Sequence, residues 1–278
     1  PEMKLPIFIF LSLLLGLLAP GEVKVVTYNI RQDTRSDRGE RDWSRRAPGV
    51  IKFLNEGQFS IIGLQEAHHH QVMQVAKGLD GFHRVGVGRS DGKARGEYSP
   101  IFYHGRRWKG DPGDQGTFWL SPTPEVPGST GWGNQVTRIC TWARLFDEKG
   151  RGLYVFNTHW DHQSQPSREK AAALILKRIK ARKRPTEPVI LMGDFNANTE
   201  NPAIKTLLTS GVVTDAGGKE QKLTFNFWKP GLKKGLRIDH IFTSLELPDH
   251  SLEVISDGDP VHSDHHPVIL TLPWEGGE

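Results

Sequence analysis

Short runs of Val, Ile, Leu and Phe recur along this chain, and several of them run straight into an acid, an amide or an imidazole. Val25-Val26-Thr27-Tyr28 leads to Asn29, and Ile61-Ile62-Gly63-Leu64-Gln65 leads to Glu66. Tyr154-Val155-Phe156-Asn157-Thr158 leads to His159, with Asp161 and His162 close behind. Val189-Ile190-Leu191-Met192-Gly193 leads to Asp194 and Asn196. Arg237 and Ile238 precede Asp239, and His262 and Ser263 precede Asp264 and His265, ahead of the run Val268–Leu272. Runs of this length and composition, bounded by Gly, Pro, Asp or Ser, read as strands. An unpaired charge inside a core is costly, so a buried strand carries such groups only at its rim. If the strands share a sheet, these ends can converge on one edge.

Strands are expected at Val23–Asn29, Ser60–Gln65, Pro100–Tyr103, Thr117–Leu120, Ile139–Phe146, Leu153–Asn157, Val189–Met192, Arg237–Phe242, Leu252–Ile255 and Val268–Leu272. Helices are fewer. Ser167–Arg184 carries Ala171, Leu174, Ile175 and Ile179 at helical spacing, with Ser167 as N-cap and Pro185 as the stop. Others are expected over His68–Leu79, from Asn201 with Pro202 in the first turn, and over Trp43–Asn55, where Pro48 and Gly49 disturb the pattern. This mixture predicts two packed sheets with helices outside. No period of about 20–50 residues repeats, which argues against a solenoid or propeller. The Pro- and Gly-rich stretch Ser121–Gly133 reads as a loop within one domain spanning 21–278.

At 278 residues and 36% hydrophobic, with thirteen Phe and eight Trp, the chain has material for a core and is not a disordered protein. The net charge of +4 permits an anionic substrate. The single cysteine, Cys140, excludes an intrachain disulfide framework and any multi-thiolate zinc site. Lys4, an apolar run over Leu5–Leu18 and the exit Ala19-Pro20-Gly21 describe a secretory signal peptide over 1–20, with Leu17 where a small residue is usual. The run is shorter than the roughly 20 residues of a spanning helix. A secreted or periplasmic protein is therefore expected; the alternative is a protein anchored to a membrane by an uncleaved N-terminal segment.

The polar strand ends hold carboxylates, amides and imidazoles and no thiolate. Oxygen-dominated sets suit Mg²⁺, Mn²⁺ or Ca²⁺. Imidazoles with carboxylate neighbours suit general acid–base work. Thr27-Tyr28-Asn29-Ile30-Arg31, Leu64-Gln65-Glu66, Asn157-Thr158-His159-Trp160-Asp161, Gly193-Asp194-Phe195-Asn196, Arg237-Ile238-Asp239-His240-Ile241-Phe242 and Ser263-Asp264-His265-His266-Pro267-Val268 occur in that order. Over residues 22–273 the chain resembles the endonuclease/exonuclease/phosphatase superfamily of deoxyribonuclease I, exonuclease III, secreted sphingomyelinases and inositol polyphosphate phosphatases.

The resemblance implies a four-layer α/β sandwich, two packed mixed sheets flanked by helices, and hydrolysis of a phosphoester by water with one or two Mg²⁺ or Mn²⁺ ions. It implies that Asn29, Glu66 and Asp264 surround the metal. It assigns Asp194 and Asn196 to the nucleophile, the phosphate or a second metal. His265 matches the catalytic histidine, Asp239 its orienting acid, and His159 a second imidazole beside the phosphate. The chemistry fits: a neutral imidazole at His265 can take a proton near pH 7, with Asp239 fixing its tautomer. His159 and Asn196 can donate to phosphoryl oxygens. Whether Asp194 or His265 takes the proton of water stays open at this point.

Arg31, Glu97, Arg138 and His162 are candidate substrate-binding residues, though each of the two arginines reads equally well as a surface ion pair. The run Lys177–Arg184 reads as the solvated face of a helix, and the arginines from Arg31 to Arg46 are the better candidates for contacting a polyanion. Consecutive His68, His69 and His70 point in different directions on a helix and cannot share one ion. Phe118, Trp119, Leu120 and Trp132 form either an apolar hairpin facing a membrane or part of the core. The leading expectation is a secreted, nuclease-like phosphodiesterase acting on a phosphoester such as nucleic acid, monomeric and without an obligate protein partner. The alternatives are a phosphatase, a sphingomyelinase-like lipid phosphodiesterase, or a pseudoenzyme that binds an anion without turnover.

Overall fold

The computed structural model describes residues 21–218, 222–229, 231–232, 234–247, 250–256 and 262–274. The expected leader at 1–20 lies outside the described residues. In the first sheet, β1 (Glu22–Asn29) runs parallel to β2 (Ile61–Gln65) and antiparallel to β12 (Val268–Pro273). β11 (Ser251–Val254) extends this sheet beyond β12, and β4 (Ile101–His104) and β3 (Phe82–Val85) extend it beyond β2. The second sheet has the order β5 (Lys109–Trp119), β6 (Ile139–Phe146), β7 (Gly152–His159), β8 (Val189–Asp194), β10 (Asp239–Thr243), β9 (Thr214–Asp215). Its one parallel pair is β7 with β8. A parallel pair needs a crossover. Here α1 (Trp43–Glu56) lies between β1 and β2, and α3 (Gln165–Lys180) lies between β7 and β8.

Two-residue alternation along the strands sorts side chains into layers. In β8, Ile190 and Met192 enter the layer between the sheets, while Val189 and Leu191 face α3 and α4 (Pro202–Leu208). In β1, Val23 and Val25 enter the inner layer, and Val26 and Tyr28 face α1 and α2 (His69–Gly78). Both faces of these strands are covered, which explains their nearly continuous apolar composition. The result is the four-layer α/β sandwich. Among the described residues no helix is long and apolar enough to cross a membrane.

The differences from expectation have local causes. α3 begins at Gln165, because Ser164 rather than Ser167 is its cap: Ser164 Oγ accepts from Ser167 N at 3.2 Å. It stops at Lys180, where the Arg182 guanidinium folds back to donate to Ile179 O at 2.7 Å and Glu187 O at 2.8 Å. β5 starts well before Thr117, crossing a register shift between Gly110 and Gln115 that breaks its alternation. The edge strand β3 and the two-residue β9 carry too little apolar pattern to be read. Phe118, Trp119 and Leu120 are buried and Trp132 packs against the core, so they do not form a membrane-facing hairpin.

One buried histidine makes stability depend on pH. His240 in β10 donates from Nε2 to Ala197 O at 2.9 Å. Burial, with help from the Arg237 guanidinium, pushes its pKa down to about 4. The unfolded chain takes up this proton near the ordinary value of about 6.5. Its contribution is therefore fully present above about pH 6.5 and is lost as the pH falls toward about 4. His240→Gln, which keeps a donor but cannot titrate, is expected to show a shallower loss of unfolding free energy from about pH 7 to about pH 4.5, by roughly 2–3 kcal/mol. Equal losses in denaturant titrations of both proteins would contradict this.

Candidate active site

Strand direction brings the polar ends together. β7 and β8 are parallel and β10 is antiparallel to β8, so Asp194 is paired in register with His159 on one side and Asp239 on the other. From the facing sheet, Asn29 ends β1 and Glu66 follows β2. Gly193 permits the close packing: a Cβ there would stand 2.0 Å from Thr158 O, and its φ of 149° suits glycine. Arg31 (φ 58°), Glu66 (φ 64°) and Asn196 (φ 48°) all adopt left-handed backbone conformations beside the cluster. Such strain persists only where the surroundings enforce it.

The two sheets meet through Asn29. Its Nδ2 donates to Glu66 Oε1 and Asp194 Oδ2, both at 3.0 Å, and lies 3.4 Å from His265 Nε2. Its Oδ1 accepts from Arg31 N at 3.0 Å. Ser263 Oγ donates to Asn29 O at 2.7 Å and so brings Asp264 and His265 to the same edge. His265 Nδ1 donates to Asp239 Oδ2 at 2.8 Å. The Asp239 backbone is in turn held by Thr224, whose Oγ1 accepts from Ile238 N and Asp239 N at 3.0 Å each.

These contacts set the charges. Burial opposes a charged His265, but the Asp239 and Asp194 carboxylates outweigh it and push the pKa up to about 10. These two carboxylates favour the protonated ring over the neutral imidazole expected near pH 7. Burial and the neighbouring Asp239 push the Asp194 carboxyl up to about 7, into the range where a general base works. His159 is the opposite case: burial, then Arg138 and Arg89, hold it well below the ordinary histidine value. Its Nε2 accepts from Asn196 Nδ2 at 3.0 Å, which places the proton on Nδ1, where it has no hydrogen-bond partner.

Glu66, His159 and Asp194 each bring one donor atom within 4.8 Å of the others, and so do Asp194, Asp239 and His265. In the second group the proton of His265 is already shared with Asp239, so the first fits a cation better. Its two carboxylates and one imidazole, without sulfur, suit a hard divalent ion. Burial raises the carboxyls of Asp194, Glu97 and Asp264, while His265 and the Asn29 amide outweigh burial at Glu66 and hold its carboxyl down. Asp264 belongs to neither group: Arg31 Nη1 stands 3.9 Å from Glu66 Oε2 and 3.7 Å from Asp264 Oδ2.

Residues 26–265 match the sequence pattern of the endonuclease/exonuclease/phosphatase family. The chain belongs to that family. A family protein from Bacteroides thetaiotaomicron is 33% identical, with a TM-score of 0.83 over 91% of this chain and 98% of its own. A mannosyl-6-phosphatase from the same species is also 33% identical, with a TM-score of 0.82 over 89% and 98%. A family protein from Bacteroides vulgatus is 32% identical, with a TM-score of 0.84 over 91% and 99%. No curated protein matches the chain.

Around this family centre the remaining sequence candidates take different places. Arg31 is tied to Asp37 by contacts of 2.8 and 3.4 Å and also faces Glu66 and Asp264, so its guanidinium is largely committed to carboxylates. Arg138 is buried, with Nη2 3.1 Å from His162 Nδ1, and its Nε and Nη1 make no hydrogen bond. Glu97 lies 3.8 Å from His159 Nδ1 and accepts from Arg89 Nη1 at 2.6 Å. Arg46 is structural: its guanidinium donates to the carbonyls of Ile30, Arg31, Arg41 and His262. His68, His69 and His70 diverge as expected, toward Gln32, Tyr98 and Asp33. Sequence reasoning missed Arg89, Thr224 and Asp37. None lies at the end of an apolar run, and each is recognised only through its partner.

Proposed function

We propose that this chain is a divalent-metal-dependent phosphoester hydrolase whose preferred substrate is a phosphomonoester of a sugar. The observation that carries the hydrolase reading is Asp194, paired in register between His159 and Asp239 and bonded to Asn29 of the other sheet. A carboxylate there accepts a proton from water as the new P–O bond forms and the ester P–O bond breaks, the released alkoxide taking a proton from solvent. His265, cationic and steadied by Asp239, holds a proton at Nε2 for an oxygen of the phosphoryl group. Asn196 supplies a further donor to a phosphoryl oxygen. Glu66, Asp194 and His159 would hold the cation, which neutralises charge on a non-bridging oxygen when bound.

The monoester reading is supported by two features. The 33% identical mannosyl-6-phosphatase spans almost the same length. The Arg138 guanidinium, whose Nε and Nη1 make no hydrogen bond, stands on the His159 side, which suits the extra charge of a monoester dianion. A nuclease-like phosphodiesterase is the second reading, favoured by the exposed Arg35, Arg38, Arg41 and Arg45 between β1 and the body of α1. The order of residues 1–20 supports export as a secreted or periplasmic enzyme.

The test is turnover of mannose 6-phosphate, p-nitrophenyl phosphate, bis-p-nitrophenyl phosphate and DNA with Mg²⁺, Mn²⁺ or chelator. Monoester hydrolysis that requires the cation is expected. Preference for the diester or DNA would install the second reading, and no turnover on any ester would overturn both.

A further inference from the structure

The segment Thr224–Trp228, which approaches the catalytic edge from beyond β9, is held in an unfavourable backbone conformation. Phe227 has φ 55° and Trp228 φ 59°. Bulky residues with positive φ are outliers that persist only when their surroundings over-determine them. Those surroundings are visible. Asn226 N donates to Asp264 O at 2.7 Å, Asn226 Nδ2 to Ser263 O at 3.1 Å, and Trp228 N to Asn226 Oδ1 at 2.7 Å. His266 N donates to Thr224 O at 2.6 Å. The Trp228 ring is covered by the Arg41 and Arg46 guanidiniums, 5.5 and 5.3 Å from its centre. The segment is therefore clamped to the stretch that carries Asp264 and His265.

The conformation does not serve to bury Phe227, which is 50% exposed. Its ring instead rests on Phe225, with centroids 4.1 Å apart, and the Phe225 ring lies 4.8 Å from the His265 imidazole. Two tilted ring contacts, at interplanar angles of 47° and 45°, thus lead outward from the His265 imidazole to an aromatic face in water, and Leu236 beside them is 49% exposed. Exposed single apolar residues are ordinary on protein surfaces. An exposed aromatic held there by a strained and heavily bonded backbone, next to the reacting group, calls for a ligand. An aromatic face stacks on a nucleobase and also packs against the apolar C–H face of a pyranose chair.

We propose that Phe227, resting on Phe225, is a leaving-group platform: it stacks on the ring of the alcohol esterified to the phosphate and selects ring-bearing esters over open-chain ones. The proposal rests on the phosphoester hydrolase reading and deepens it. Phe227→Ala is expected to lower kcat/KM for mannose 6-phosphate about tenfold more than for glycerol 3-phosphate, mainly through KM. Phe227→Trp should restore the ratio, and Val126→Ala, another exposed apolar position, should not move it. A nucleoside monophosphate in the same panel separates the ring sources, since a Phe227-dependent preference for it would assign the platform to a base rather than a sugar. Equal losses on ring and chain esters, or no loss, overturn the platform. If the wild-type protein hydrolyses none of them, the hydrolase reading falls, and calorimetric binding of the same esters decides the platform. A ring preference that vanishes in Phe227→Ala sustains it, and no preference overturns it.

Discussion

His265→Ala is expected to lower turnover by at least about 10²-fold while leaving the protein folded. The imidazole is buried between two carboxylates, 2.8 Å from Asp239 and 3.7 Å from Asp194. Removing it deletes the cation that balances them and the donor that faces the phosphoryl group. Asp239→Asn tests the same unit from the other side. The amide cannot balance an imidazolium, so His265 loses the partner that keeps it protonated and oriented. Groups acting as one unit are strongly non-additive. The double variant is therefore expected to be little slower than the worse single one, measured as kcat on the preferred ester. Near-normal kcat in His265→Ala, or fully multiplicative losses, would remove this pair from the mechanism.

Glu66→Ala is expected to have an effect of similar size, at least about 10²-fold in kcat/KM, with a different signature. Glu66 receives Asn29 Nδ2 at 3.0 Å and Gln32 N at 3.1 Å, and it lies in the donor group with His159 and Asp194. Its loss should raise the Mg²⁺ or Mn²⁺ concentration needed for half-maximal activity, which His265→Ala should leave much closer to the wild-type value. Glu66→Gly separates chemistry from folding. The φ of 64° is natural for glycine, so this variant should be as inactive as the alanine protein but better folded in denaturant. Wild-type activity in excess chelator would remove the cation from the proposal.

The parts of the site that could be read from the sequence are those set by a single physical rule. Asn29, His159 and Asp194 stand where an apolar run must stop, because a buried strand cannot carry them further inward. The crossover helices could be read from caps and periodicity, to within a few residues at the ends of α3. What could not be read depends on partners distant in sequence. Arg89 is one arginine among glycines until Glu97 folds back to within 2.6 Å. Arg46 belongs by composition to a basic cluster, and only the four carbonyls around it show that it braces the backbone. The charge on His265 depends on such a partner as well, because Asp194 of β8 acts on it beside Asp239.

The seam at Asn29 has a consequence for how this protein comes into being. One half of the reaction centre rides on each sheet, and the hydrogen bond from Gln65 Nε2 to Asn157 Oδ1, at 2.7 Å, pins the halves in register behind it. Neither half alone has both a place for a cation and a proton acceptor beside it. A nascent or partly unraveled chain thus lacks the assembled group, which exists only once the halves dock.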